Sequence, residues 1–362
     1  MEEFMELKGV KGQWFCRKRT TFVSEMGQQR IGYIDAMRGF TMILVVYSHV
    51  CGFCLGETTL GYNDVFFLFR LPCFFMISGW LFEQTAHRPF WQVIRKKFMV
   101  QIVPTFIFLL LLAPPPLFFS RLGTTKGGYW FTFTLFVFFM LYLLTVRMGR
   151  RWGAVVALLV SISAFCYSAS YNRLASTDVS PIALSALGFL SFATWRYYLF
   201  FYLGTVIRRR FDVFTRLTDL PYVVVAIVLT FLIIALTPTT DDLVLTYLRF
   251  AVAGAVGMTM VFSLFRRFEC FLNRESHLGR SLQFIGTRTL DIYLLHYFFL
   301  PRFLLRYSNQ LQAFDSKLLE LLVAMAVALA VVGTCLLASY IIRLSPFLAH
   351  YLFGAKSEKD AK

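Results

Sequence analysis

A chain of 362 residues that is 58% hydrophobic, 18% aromatic and only 15% charged, with a mean hydropathy of +0.64, is not a string of soluble domains. Its 42 Phe and 22 Gly, with charges gathered in short clusters between apolar runs, exclude disordered, collagen-like and disulfide-stapled classes. What remains is an all-α integral membrane protein, and the net charge of +16 becomes a question of where the positive residues sit.

Residues 1–30 hold Glu2, Glu3, Glu6 and Arg17-Lys18-Arg19 but no apolar stretch long enough for a signal peptide, so they are expected as a cytoplasmic tail. A hydrocarbon core of about 30 Å asks for about 20 residues of helix. In chain order the apolar stretches are 39–56, 63–84, 98–120, 127–146, 152–172, 194–208, 220–240, 243–265, 281–306 and 321–342. Six of them lack Asp, Glu, Lys and Arg; the others hold charges, among them Arg70, Arg196, Arg249, and Arg288 with Asp291. The expectation is about ten transmembrane helices within a membrane domain over 31–343, then a cytoplasmic tail over 344–362. Residues 181–192, apolar and just ahead of the short sixth stretch, suit a re-entrant or interfacial piece.

Lys and Arg alternate between the two sides of this arrangement. Of 36, 25 fall in the tails and the even-to-odd loops, 6 in the loops opposite, and 5 inside spans. Cytoplasmic loops carry the excess in membrane proteins, which places both termini in the cytoplasm. Topology and contact with anionic lipid therefore account for the charge, and nucleic acid is not an expected partner.

Ionisable groups inside spans cost about 2.5 to 3.5 kcal/mol each on insertion scales, so they face a protein interior or a watery cavity. Asp35 and Arg38 are three apart and can pair on one helix face. Arg38 and His49 are eleven apart, within about 20° of alignment and about 16 Å along the axis. An anion site and a proton acceptor at two depths of one cavity would look like this, since Arg is a fixed cation and His exchanges a proton near neutral pH. The plainer alternative is that Arg38 only neutralises Asp35 while His49 bonds a neighbouring helix. The ninth stretch repeats the theme with Arg288, Asp291, Tyr293 and His296, the last at the depth of His49. Arg70 falls near those histidines and either holds a ligand or snorkels outward; Glu83 falls at the cytoplasmic end. Arg95-Lys96-Lys97 suits a phosphate-rich ligand as well as it suits topology. Arg196 and Arg249, alone in apolar helices, are read as structural.

No GxxxxGK[ST], GxGxxG after a strand, HExxH or GxSxG occurs, which removes the usual nucleotide, zinc-protease and serine-hydrolase readings. Seven scattered cysteines form no metal-ligand array, and no metal is expected. Cys51 and Cys54 form the one close pair, which sequence leaves open as a disulfide or two small core residues.

Tyr33-Ile34-Asp35-Ala36-Met37-Arg38-Gly39 followed by His49 resembles the first-span signature of the membrane acyltransferase-3 family, an Arg or Lys, ten residues and a His on one helix. Phe74-Phe75-Met76-Ile77-Ser78-Gly79 is similar to its FF-x-x-SG segment, and Arg95 through Pro104 to its basic start of span three. Tyr129-Trp130-Phe131, Tyr197 to Gly204, and Asp291-Ile292-Tyr293-Leu294-Leu295-His296 resemble later family segments, so the likeness runs from 30 to 343 in order. Phe69-Arg70-Leu71-Pro72 departs from the family, whose members often have His or another polar residue there.

The resemblance implies transfer of an acyl group, usually acetyl, from cytoplasmic acyl-CoA such as acetyl-CoA to a hydroxyl of a glycan or lipid-linked saccharide. Arg38, oriented by Asp35, would meet CoA, and His49 would deprotonate the acceptor. Arg70, Arg95, Arg288, Asp291, Tyr293 and His296 are the expected substrate-binding residues. The bacterial inner membrane is the expected location. Aromatic residues Tyr62, Phe118, Phe119, Tyr129 and Trp130 either stack on sugars or form an interfacial belt. A polysaccharide-precursor transporter or flippase would line its cavity similarly and differs in needing no acyl-CoA; a non-catalytic scaffold has no use for costly intramembrane charges.

Overall fold

The computed structural model describes residues 31–57, 59–112, 126–174, 191–238, 242–273 and 275–355. Pro114, Phe118, Phe119 and the expected re-entrant piece up to residue 190 lie outside these. Among the described residues every regular element is helical. Five helices are long and apolar enough to cross a bilayer, or six if one pair bent by 85° counts as a single span. The protein is therefore a multi-pass helical membrane protein.

Helix α1 (Gly32–Cys54) and helix α2 (Asn63–Glu83) are the first two spans. The turn between them needs left-handed backbone at Gly61 (φ 52°) and Tyr62 (φ 67°). It is held from two sides: Tyr47 Oη donates to the Gly61 carbonyl at 2.6 Å, and Gly61 N donates to Glu320 Oε2 at 3.0 Å. Pro72 sits inside α2, as membrane helices tolerate when neighbours cover the freed carbonyl.

The third expected span is broken near its start. Helix α3 (Phe90–Lys97) passes through a five-residue π turn, Phe98–Ile102, into α4 (Val103–Leu112). Such a wide turn re-aims the side chains before it. Helices α5 (Trp130–Met148) and α6 (Arg150–Leu174) follow, then a 3₁₀ turn, Phe192–Tyr197, leading into α7 (Tyr198–Arg209). Helix α8 (Phe211–Thr218) and α9 (Pro221–Leu236) form the bent pair. Helix α10 (Leu243–Arg267) starts at Asp242, whose side chain accepts from Val244 N and Leu245 N. Arg249 donates to the Ile234 and Ala235 carbonyls at the end of α9, satisfying groups that a helix terminus otherwise strands.

The ninth expected span is also interrupted. Helix α11 (His277–Thr287) stops at Arg288, whose ψ of 17° is off the helix, and α12 (Thr289–Phe299) resumes at once. After α13 (Ser308–Gln312), the 27-residue α14 (Lys317–Arg343) is the longest element among the described residues. Residues 346–353, expected in a tail, form α15 (Pro346–Phe353), with Phe353 buried and stacked near Phe108 of α4. Helix thus covers part or all of each of the ten apolar stretches, but the third, sixth and ninth are assembled from short pieces. Composition measures apolarity and does not sense these breaks.

Two helix pairs build the centre. A Cβ on Gly286 would collide with the Asp35 carbonyl, so α1 and α11 touch backbone to backbone. A Cβ on Gly79 would likewise collide with the Phe201 carbonyl, so α2 and α7 do the same. Small residues allow this in membranes, where association rests on van der Waals packing. Each pair runs in the same direction: Asp35 meets Gly286 of α11 and His49 meets His296 of α12, which continues it; Phe75 meets Tyr197 just ahead of α7 and Glu83 meets Arg209 at its end.

Candidate active site

Between these pairs lies a cavity of about 480 Å³, walled by α1, α2, the α3–π junction, α5, the 3₁₀ turn and α12. Arg38, His49, Arg70 and Tyr293, all singled out from sequence, line it. Lys97, Arg196, Gln101, Thr132 and Thr289 are among the other polar residues that line it. Four cations therefore face one space, and among the described residues no carboxylate lines it. In a low-dielectric interior such an arrangement is stabilised by a bound anion.

Asp35 and Arg38 pair as their spacing requires, Nη1 to Oδ1 at 3.3 Å. The same guanidinium reaches across to Thr289 Oγ1 at 2.9 Å, the first residue after the break in the ninth span. Arg38 is thereby fixed from both helices, with Asp35 buried behind it.

His49 sits at the other end. Its Nδ1 is 2.8 Å from the Val45 carbonyl, and since a carbonyl only accepts, this contact assigns the proton to Nδ1. Nε2 is then the basic nitrogen, 2.9 Å from the Tyr297 hydroxyl. Tyr297 Oη is also 3.3 Å from the Gly128 carbonyl, so its proton has two acceptors. Sequence reasoning missed Tyr297, which stands next to the histidine in a motif whose other members took the attention.

His296 lies behind His49, ring centroids 4.8 Å apart, fully buried and outside the cavity lining. Its Nδ1 is 2.8 Å from the Tyr293 carbonyl, and its Nε2 has no hydrogen-bond partner among the described residues. Tyr293 donates to the Gly128 carbonyl and accepts from Phe131 N, both at 3.2 Å. Tyr129 is fully buried, its hydroxyl donating to the Leu294 carbonyl at 2.6 Å, so it packs helices together; Trp130 lines the cavity and Tyr62 is exposed.

Arg70 is only 8% exposed and donates Nη1 to Asn63 Oδ1 at 2.6 Å, which rules out snorkelling to the surface. Arg196, read from sequence as structural, lines the cavity with its guanidinium over the Tyr197 and Phe250 rings. Arg249 alone fits the structural reading.

Besides His296, three more of the expected binding residues sit outside the lining. Arg95 is exposed on α3 away from the cavity, and Lys97, about 200° further round the helix, turns in with Nζ 4.5 Å from the Phe139 ring centroid. Asp291 is 2% exposed and already held by Arg343, both contacts at 2.8 Å, and by Ser339 Oγ at 2.5 Å. Arg288 contacts Asp291 at 3.6 Å and belongs to this tie between α12 and α14, outside the cavity. Arg343 is 52 residues away in sequence, so no local spacing signals it. Cys51 and Cys54 are both buried free thiols.

An all-helical membrane protein with a polar, cation-lined cavity between parallel helix pairs is the class that fold and site define. The chain matches the acyltransferase-domain model of the acyltransferase-3 family over residues 31–343 and belongs to that family. It is thus a membrane acyltransferase. No curated protein and no solved structure matched it.

Proposed function

We propose that the protein transfers an acetyl group from cytoplasmic acetyl-CoA to a hydroxyl of a cell-surface glycan or lipid-linked saccharide, across the bacterial inner membrane. In this reading ten helical segments cross or enter the bilayer and both termini are cytoplasmic, in keeping with the Lys and Arg distribution. The observation that carries it is the cavity itself, with a basic histidine nitrogen at one end and a buttressed arginine at the other.

Arg38 and Lys97 hold the phosphates of the donor and place its thioester along the cavity. The acceptor hydroxyl gives its proton to His49 Nε2 as its oxygen attacks the thioester carbonyl. The new C–O bond forms, the C–S bond breaks, and the departing thiolate takes the proton back. Val45 keeps the other ring proton on Nδ1, and Tyr297 serves both states of the ring: it donates to neutral Nε2, then turns to Gly128 once Nε2 is protonated. Asp35 and Thr289 orient Arg38.

The test uses membranes carrying wild-type or His49→Ala protein at matched abundance, with isotope-labelled acetyl-CoA and the host glycolipid fraction. Label is expected in saccharide with wild type only. Equal transfer by both proteins sinks the role of His49, and a labelled saccharide crossing the bilayer without any acyl transfer favours a flippase.

A further inference from the structure

The four cavity cations fall into two separate groups. Arg38 lies in the second turn of α1, and Lys97 is at the end of α3 over the Phe82 and Phe139 rings. Arg70 belongs to the opposite end, in the second turn of α2, across the short turn from His49. Arg196 lies at the same end because α2 and α7 run in parallel and the 3₁₀ turn precedes α7. The two guanidiniums bracket an aromatic pair: Arg70 is 5.5 Å from the Phe67 ring centroid, Arg196 is 5.0 Å from Phe250, and those rings are 6.1 Å apart.

Among the described residues no carboxylate lines the cavity beside either charge. Asn63, a neutral partner, takes one of the five donors of Arg70, and the buried Nε of Arg196 has no hydrogen-bond partner among the described residues. Arg70, buried, and Arg196, half-buried, face an open cavity at a desolvation cost that an arriving anion offsets. The donor phosphates do not reach this end and leave the carbonyl at His49, because Arg38 and Lys97 hold them about 16 Å away along α1.

We infer that Arg70 and Arg196 form a second anion subsite, and that the acceptor saccharide carries a negative group, a sugar carboxylate or a phosphate, beside the hydroxyl that is acylated. This rests on the acyl-transfer reading above and adds the chemical class of the acceptor. The aromatic rings between the guanidiniums suit a sugar face, and the fixed guanidinium fork suits either oxyanion.

The experiment separates the host glycolipid fraction by anion exchange into acidic and neutral pools and supplies each, with labelled acetyl-CoA, to membranes carrying the full chain. Label entering the acidic pool supports the inference. Label entering the neutral pool equally well overturns it while leaving acyl transfer intact, and label entering neither pool overturns both. Carboxyl reduction of the acidic pool, and separately its dephosphorylation, tell the two anions apart; transfer surviving both treatments overturns the subsite. Arg70→Gln and Arg196→Gln are each expected to raise the acceptor KM at least about tenfold and to change the acetyl-CoA KM by less than about twofold. Arg70→Lys restores part of the acceptor affinity. A rise in acetyl-CoA KM instead would assign these arginines to the donor.

Discussion

The two Arg–Asp pairs of this protein look alike in sequence and end in opposite situations. Asp35–Arg38 and Arg288–Asp291 are both i,i+3 pairs on helices that run side by side. In the first, the arginine lines the cavity and the aspartate stays behind it. In the second, the aspartate is locked by Arg343 and Ser339, and neither partner faces the cavity. One extra cation arriving from α14 converts a motif that could bind into one that fastens helices. Spacing along a helix identifies which residues can meet, whereas the third partner decides what the pair does.

That contrast is sharpened first at the chemistry. His49→Ala should lower transfer by about 10² to 10⁴-fold, the usual range for a positioned general base, with the folded protein retained in the membrane; label transfer and abundance are measured together. The second pair is broken with Asp291→Ala, which strands Arg343 and should cost about 3 to 5 kcal/mol, read as a large loss of folded protein on heating in detergent. Arg38→Gln is the matched change in the first pair: folded protein should stay near wild type while the acetyl-CoA KM rises about tenfold or more. Were Arg38→Gln to unfold the protein and Asp291→Ala to raise KM, the assigned roles would be reversed. Gly79→Ala should cost about 1 to 3 kcal/mol of stability by forcing α2 and α7 apart, measured as a lower midpoint of thermal aggregation. The smallest effect belongs to Tyr297→Phe, which removes one hydrogen bond to His49 worth about 0.5 to 1.5 kcal/mol and should lower kcat about two- to tenfold with both KM values unchanged.

Much of the architecture was legible because bilayer length and apolarity are local properties: all ten stretches carry helix, and α1, α2, α5, α10 and α14 are long enough to span. The alignment of Arg38 with His49 was legible for the same reason, as was the nearness of His49 to His296. Lys97 in place of Arg95 was not, since packing rather than any residue pattern decides which face of α3 turns to the cavity. The place of Arg196 in the cavity lining was not legible either, because a lone charge in an apolar stretch carries no sign of which neighbours it will face. Tyr297 drew no notice because a tyrosine in a helix rich in aromatics is ordinary until its hydroxyl is seen against His49 Nε2.

Sequence by itself determined the class of solvent, the family, and the two residues at the ends of one helix face, because hydropathy, residue chemistry and helical period are all carried by neighbouring residues. Tertiary structure alone decided which charges share the cavity and which are neutralised elsewhere. Those choices depend on partners 52 to 251 residues away, as in Arg343 with Asp291 and Thr289 with Arg38. In a low-dielectric interior the partner within hydrogen-bond reach sets what a charge can do, and only the packed helices bring that partner near.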